Sequence, residues 1–288
     1  MLGKTFKKLL DRRALSPVIS TVIMIGAIVA LLGVTLIYAN GLLLSKVAEG
    51  DFNAAKPFMR TMGLQIDDVA WTIGRTETLR YSSKYGEVRL EPSTLNYTVN
   101  VETDGSGTYK FSNKTGVLLF NIATSRYSVA NGYWSLISPS QDDALILKGA
   151  SASVARVFAV ERMPMQDGSY IRVVAAPAIR TLFSSINTSS SSTLYIKLYL
   201  PVLKLGEAPR RSQSVTLTGK SFAANTLNDV TSINVTVDFP RGPSPENFDS
   251  FFFHFPSLSE VIDIPAGYSD VVLEFYVSEV TVDFGINF

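Results

Sequence analysis

The chain has 288 residues, 46% hydrophobic and 18% charged, with 26 basic against 25 acidic side chains and a net charge of +1. A chain of this length can bury a sizeable core without covalent staples, and the absence of cysteine excludes disulfides and thiolate chemistry. Nucleic-acid binding leaves a basic footprint; beyond the N-terminus the local hint is Arg210-Arg211, which reads as a solvated turn, so no nucleic-acid partner is expected.

The first fourteen residues are a short basic leader in which Lys4, Lys7, Lys8, Arg12 and Arg13 stand against Asp11 alone. No charged residue follows from Ala14 to Ser45, a run of 32 positions. Its apolar block, Val18 to Tyr38, would form a helix about 31 Å long, matching a hydrocarbon core of about 30 Å. A single membrane-spanning helix is the expectation, with the basic flank cytoplasmic and the long C-terminal part outside. A secretory signal peptide also starts with a basic stretch, but its apolar region is about 7 to 15 residues long. Ser16 is placed to cap the helix and Pro17 to occupy its first position, where a missing N–H costs nothing.

The string Asp11-Arg12-Arg13-Ala14-Leu15-Ser16-Pro17-Val18-Ile19 resembles the N-terminus of archaeal type IV pilin precursors, in which a basic leader precedes a Ser-Pro-Val-Ile run and a hydrophobic helix. The likeness covers residues 12 to about 40. It implies a prepilin peptidase as partner, cutting on the cytoplasmic side between Ala14 and Leu15, just after Arg12 and Arg13. The glutamate of the broader bacterial pattern at the fifth mature residue is replaced by Ile19, as in the archaeal subgroup. The resemblance further implies a structural subunit whose helix moves from the membrane into a filament built of copies of itself or related pilins, leaving its head outside for adhesion. Loss of the leader would remove five basic residues and one acidic, leaving 21 against 24 and a mildly acidic exterior.

Within the apolar block Gly26, Ala30 and Gly33 follow at spacings of four and three, which puts three small residues on one helix face and allows close helix packing. Composition alone supplies a plainer reading, since glycine and alanine are common in membrane helices. Tyr38 suits the outer interface, Asn40-Gly41 marks the exit, and Gly50 to Pro57 is expected to end the helix. The expected organisation is a cleaved leader over 1–14, a hydrophobic helix over 15–52, and an extracellular all-β head of antiparallel, sandwich-like sheets over 57–288.

In the head, Leu95, Tyr97, Val99 and Val101 alternate with polar residues, as do Ile233, Val235, Val237 and Phe239, and Leu194 to Leu200 repeats the pattern. Val271, Leu273, Phe275 and Val277 occupy one parity and Val280, Val282 and Phe284 the other, which predicts a bulge near Ser278. Asp167-Gly168 predicts a hairpin between 154–163 and 170–179, and Asp104-Gly105-Ser106-Gly107 another turn. Ser244-Pro245-Glu246 has the order of a helix start, giving a short helix near 245–253. The Ser184–Thr193 stretch reads as a long exposed loop or a boundary inside the head.

Little in the sequence points to catalysis. The single histidine, His254, lies in Phe251-Phe252-Phe253-His254-Phe255, and a packing role is expected because metal and acid-base sites need converging partners. No nucleophile elbow or phosphate loop occurs, so no enzyme, cofactor or metal centre is expected. Asp67-Asp68, Asp142-Asp143 and Asp104 fit no spaced calcium loop and read as surface and turn residues. Four sequons, at Asn96, Asn113, Asn187 and Asn234, are candidate N-glycosylation sites on polar strand faces, a turn and the Ser/Thr run. The five phenylalanines at 248, 251, 252, 253 and 255 cannot share one face, so they read as core packing or, more sharply, as a contact with a second subunit. Beside the filament subunit stand two other readings: a membrane-anchored surface binder that does not polymerise, and an anchored extracellular enzyme.

Overall fold

The computed structural model describes residues 7–105, 107–139, 145–189, 191–207, 213–240 and 247–285, with side chains from Ile19 onward. It has one long N-terminal helix, α1 (Lys7–Ala70), and a mostly β head. The strands are β1 (Thr76–Arg80), β2 (Gly86–Thr103), β3 (Gly107–Ala123), β4 (Tyr133–Ser138), β5 (Ile146–Lys148), β6 (Ala155–Glu161) and β7 (Tyr170–Pro177). After them come β8 (Ile179–Asn187), β9 (Ser192–Leu205), β10 (Ser214–Leu227), β11 (Val230–Asp238), a short helix α2 (Ser250–Phe253), β12 (Ser259–Val261) and β13 (Asp270–Phe284). By compactness the chain divides into residues 1–47 and 48–288.

The helix is longer at both ends than its signals suggest. It begins at Lys7 rather than Ser16, because the leader's Lys, Leu, Arg and Ala are good helix formers and need no separate start. It passes the expected stop at 50–57 and ends at Ala70. The reason lies in Ala48, Phe52, Ala55, Met59, Met62, Ile66 and Val69, which alternate at spacings of four and three and are all buried in one core. Burial of that stripe outweighs the helix-breaking tendencies of Gly50, Asn53 and Pro57, and Pro57 sits on the exposed side. At the helix end Ser278 donates its hydroxyl to the carbonyl of Ala70. A Cβ on Gly219 would lie 2.6 Å from the carbonyl oxygen of Val69 and 2.7 Å from that of Thr72, so this strand residue must be glycine.

Two sheets make up the head. One has the order β1-β10-β13-β9-β8-β5 and the other β12-β11-β2-β3-β7-β6-β4. The second is antiparallel throughout its pairings. The first is mixed, since β13 runs parallel to β9 and β5 parallel to β8, a departure from the all-antiparallel expectation. Local alternation reports that one face is buried and says nothing of strand direction.

Residues of one parity from both sheets form a first core: Leu95, Tyr97, Val99 and Val101 of β2, Ile233 and Val235 of β11, Ile196 and Leu198 of β9, Leu273 and Phe275 of β13. Tyr97, fully buried there, donates its hydroxyl to the Pro177 carbonyl at 2.9 Å, and burial pushes its pKa up. The opposite parity forms a second core with α1 residues 48–70, using Phe120 and Ile122 of β3, Val157 of β6, Val173 of β7, Leu217 of β10, and Val280 and Val282 of β13. Strands β6 and β7 serve both cores and are buried along nearly their whole length.

This double use explains β13. Its buried parity does switch between Phe275 and Ser278, yet its register with β9 runs unbroken. The switch is a change in which face is covered. The irregularity with β10 falls between Gly219 and Ser221, on the neighbouring strand opposite Glu279 and Val280.

The Asp167-Gly168 hairpin joins β6 to β7 with Glu161 opposite Ile171, and β2 meets β3 with Thr103 opposite Gly107. The Ser184–Thr193 stretch is neither long loop nor boundary: Ser184 pairs with Tyr195 and Asn187 with Ser192, so it is the tip of the β8–β9 hairpin. Residues 241–246 lie outside those described; α2 starts after Asp249, whose side chain accepts from the Phe252 N–H at 3.0 Å.

Candidate functional site

Two features present chemistry to the surroundings. In α1, Val22, Ile23, Met24, Ile25, Val29, Leu31, Leu32, Val34, Leu36 and Ile37 are all exposed. Successive positions on a helix point about 100° apart, so the segment is apolar on every face. A helix of that kind is covered by lipid or by other protein, and this one is long and apolar enough to cross a membrane. Among the described residues, and setting aside the helix's own backbone, no atom lies within 4 Å of the place a Cβ would occupy on Gly26 or Gly33, and Ala30 is exposed between them. Arg12, Arg13, Ala14 and Leu15 lie in the backbone of α1.

The sequons differ in environment. Asn96 is only 8% exposed; its amide donates to Asp238 at 3.0 Å and its oxygen accepts from Ser112 at 3.0 Å. Asn113 and Asn234 are half-buried, the latter accepting from Ser259 at 2.8 Å. Asn187 is exposed at the hairpin tip, although its oxygen accepts from Ser192 at 2.6 Å. Of the carboxylate pairs, Asp67 accepts from Trp71 Nε1 at 2.7 Å and from Arg180 at 2.8 Å, and Asp68 lies 3.6 Å from Arg75. Asp142-Asp143 and Arg210-Arg211 lie outside the described residues.

The second feature is a cleft where α2 meets β4 and β6. Asp249 caps α2 and also accepts a two-pronged hydrogen bond from Arg162, just past β6. That anchor fixes the direction of the phenylalanine run. Phe248, Phe252 and Phe253 are buried in the first core and Phe255 packs against it, whereas Phe251 is 79% exposed. His254 ends the helix in the left-handed region, φ 55°, and is exposed rather than packed inside. Its ring lies on Trp134 of β4, with centroids 4.5 Å apart and planes at 24°. Trp134 in turn stacks on Phe158 of β6 at 5.9 Å and 27°.

A recess of about 390 Å³ opens among Tyr133, Trp134, Glu161, Arg162, Phe251 and His254. A neighbouring one of about 350 Å³ shares Phe251 and His254 and adds Ser250, Phe255 and Pro256. The charges at this site are internally matched: Glu161 accepts from the Ser128 hydroxyl at 2.5 Å and the Val129 N–H at 2.7 Å, and Arg162 is held by Asp249. Trp134 Nε1 is buried and finds no acceptor among the described residues. Sequence reasoning singled out His254 and the phenylalanines but missed Trp134, Glu161 and Arg162, which arrive from strands some hundred positions away. The one local signal was Asp249 ahead of an apolar run, which is a helix-cap pattern.

Comparison with protein-family models, with curated proteins and with solved structures gives no match to this chain.

Proposed function

We propose that the chain is a structural subunit of a surface filament of the archaeal type IV pilin kind, with adhesion or surface contact through its β head. The observation that carries the reading is α1 itself: one unbroken helix that is apolar on every face as far as Leu43 and then supplies an amphipathic stripe to the core of the head. A simple membrane anchor has no need to continue as a core element, whereas a filament subunit uses its helix for both assembly and head attachment. In this reading the basic leader faces the cytoplasm and a prepilin peptidase cuts between Ala14 and Leu15. The helix is held in the membrane before assembly, and the sandwich-like head stays outside. Gly26, Ala30 and Gly33 form the packing face toward neighbouring copies. Among the sequons, exposure favours Asn187 for glycosylation and disfavours Asn96.

Mass spectrometry of the native protein, together with electron microscopy of sheared surface material, tests the reading. The expected mature chain begins at Leu15 and is present in filaments. Native protein that begins at Met1 and never enters sheared filaments would instead establish the anchored binder that does not polymerise.

A further inference from the structure

The cleft at α2 combines three properties that the filament reading leaves unused. Its exposed surfaces are ring faces. Among the described residues His254 has Trp134 as its ring contact, and Phe251 stands out in solvent with Arg162 on one side at 5.9 Å. Its geometry is fixed, because the Phe158–Trp134–His254 stack and the Arg162–Asp249 pair hold both rings from behind. Its charges are already compensated within the chain, so neither an anion nor a cation finds an unmatched partner in Glu161 or Arg162.

Those properties select a ligand that is uncharged, carries flat apolar patches for ring faces, and has hydroxyls at its edges. A pyranose has that form: one face is a sheet of C–H groups and the rim is hydroxyl. The ring nitrogens of an imidazole suit such a rim, since each can take part in a hydrogen bond with a hydroxyl. Two recesses of about 390 and 350 Å³, sharing Phe251 and His254 as a common ridge, fall in the size range of small-molecule sites and suit adjacent sugar units. We propose that this cleft binds a neutral oligosaccharide, with consecutive pyranose units against the Phe251 and His254 rings. The assignment deepens the adhesive part of the reading above and rests on that part for its use at the surface. Binding is measured on the purified chain, so failure here leaves filament assembly untouched, and failure to assemble leaves binding untouched.

The test uses the full chain in a zwitterionic detergent that carries no sugar headgroup. The probes are maltose, cellobiose, lactose and N,N′-diacetylchitobiose, with digalacturonate as a charged comparison, read by saturation-transfer NMR and titration calorimetry. At least one neutral disaccharide is expected to bind, with saturation concentrated on its ring C–H protons. Phe251→Ala and His254→Asn should each weaken that binding about tenfold or more, as loss of an aromatic anchor does. Asparagine is chosen because it tolerates the left-handed backbone; if that variant misfolds, Phe251→Ala carries the test, since its side chain is exposed. Phe222→Ala, in a separate aromatic cluster, should bind as the parent does. The proposal is overturned if no neutral disaccharide binds, if digalacturonate alone binds, or if both variants retain full affinity. It is equally overturned if Phe251→Ala abolishes self-association in sedimentation runs while no sugar binds, which would make the cleft a protein interface.

Discussion

Tyr276 donates its hydroxyl to Glu274 at 2.6 Å, and Lys197 approaches the same carboxylate at 3.1 Å. The hydrogen bond to Glu274 pushes the Tyr276 pKa up to about 12, and the same bond, followed by Lys197, draws Glu274 below its ordinary value against the opposing effect of burial. Tyr276 therefore contributes stability that is present below the ordinary tyrosine range near 10 and is lost as pH rises through about 12. Glu274 contributes above the ordinary carboxylate value and loses that contribution as pH falls through its lowered one. Glu274→Gln should bring the Tyr276 titration, followed by phenolate absorbance, back toward the ordinary range and flatten the acid limb of stability. An unshifted titration would show that the hydrogen bond is not the cause. Elsewhere in the head, neighbouring positions of one strand test the two-faced pattern. Val235 is fully buried in the first core and Thr236 is half-exposed. Val235→Asp should cost about 4 kcal/mol or prevent folding, and Thr236→Asp about 1 kcal/mol or less, in denaturant titrations of the full chain.

At the scale of elements, α1 from Ala48 to Ala70 behaves as a core helix whose breakers are tolerated rather than absent. Met62 is buried without exposed surface, so Met62→Ala should cost about 2–5 kcal/mol. Pro57 lies on the exposed side, where it lacks the N–H that would bond to Asn53. Pro57→Ala should stabilise the chain and raise the melting temperature, with a gain below the roughly 3 kcal/mol of a full interior penalty because proline also restrains the unfolded chain. A fall in melting temperature would mean that a kink at Pro57 is needed for the stripe to fit. The stripe itself was legible in the sequence as Ala48, Phe52, Ala55, Met59, Met62, Ile66 and Val69, but Gly50 and Pro57 carry the stronger local signal. The half-buried strands β2, β9 and β11 were legible for the opposite reason, since one solvated face leaves a clean period of two. Strands covered on both sides, such as β6 and β7, lose that alternation, and β13 shifts parity because its two ends face different cores. Strand direction, and the convergence of Trp134 and Arg162 on His254, depend on long-range pairing that no local pattern records.

The whole molecule sets one helix two tasks, and each can be removed separately. A soluble fragment starting at Ala48 keeps every helical residue of the second core, whereas one starting at Pro57 loses Ala48, Phe52 and Ala55. Both should give β-dominated circular dichroism, with the shorter fragment clearly less stable to heat. Equal stability would show that the first turns of the stripe contribute nothing. The apolar portion of α1 is tested by filling its small face. An anchor requires only apolar length, so Gly26→Leu, Ala30→Leu and Gly33→Leu combined would be harmless to membrane retention and would increase hydrophobicity. A filament core requires helices to approach closely, and three leucines would hold the backbones apart. The three positions lie outside the helical stripe of the second core, which begins at Ala48, so the variant should fold its head normally. The expected outcome is protein that is made, cleaved and retained in the membrane at parental levels, with few or no filaments in the sheared fraction. Normal filament yield from the triple variant would remove the small face from the assembly interface and leave the apolar surface of α1 with membrane insertion as its remaining role.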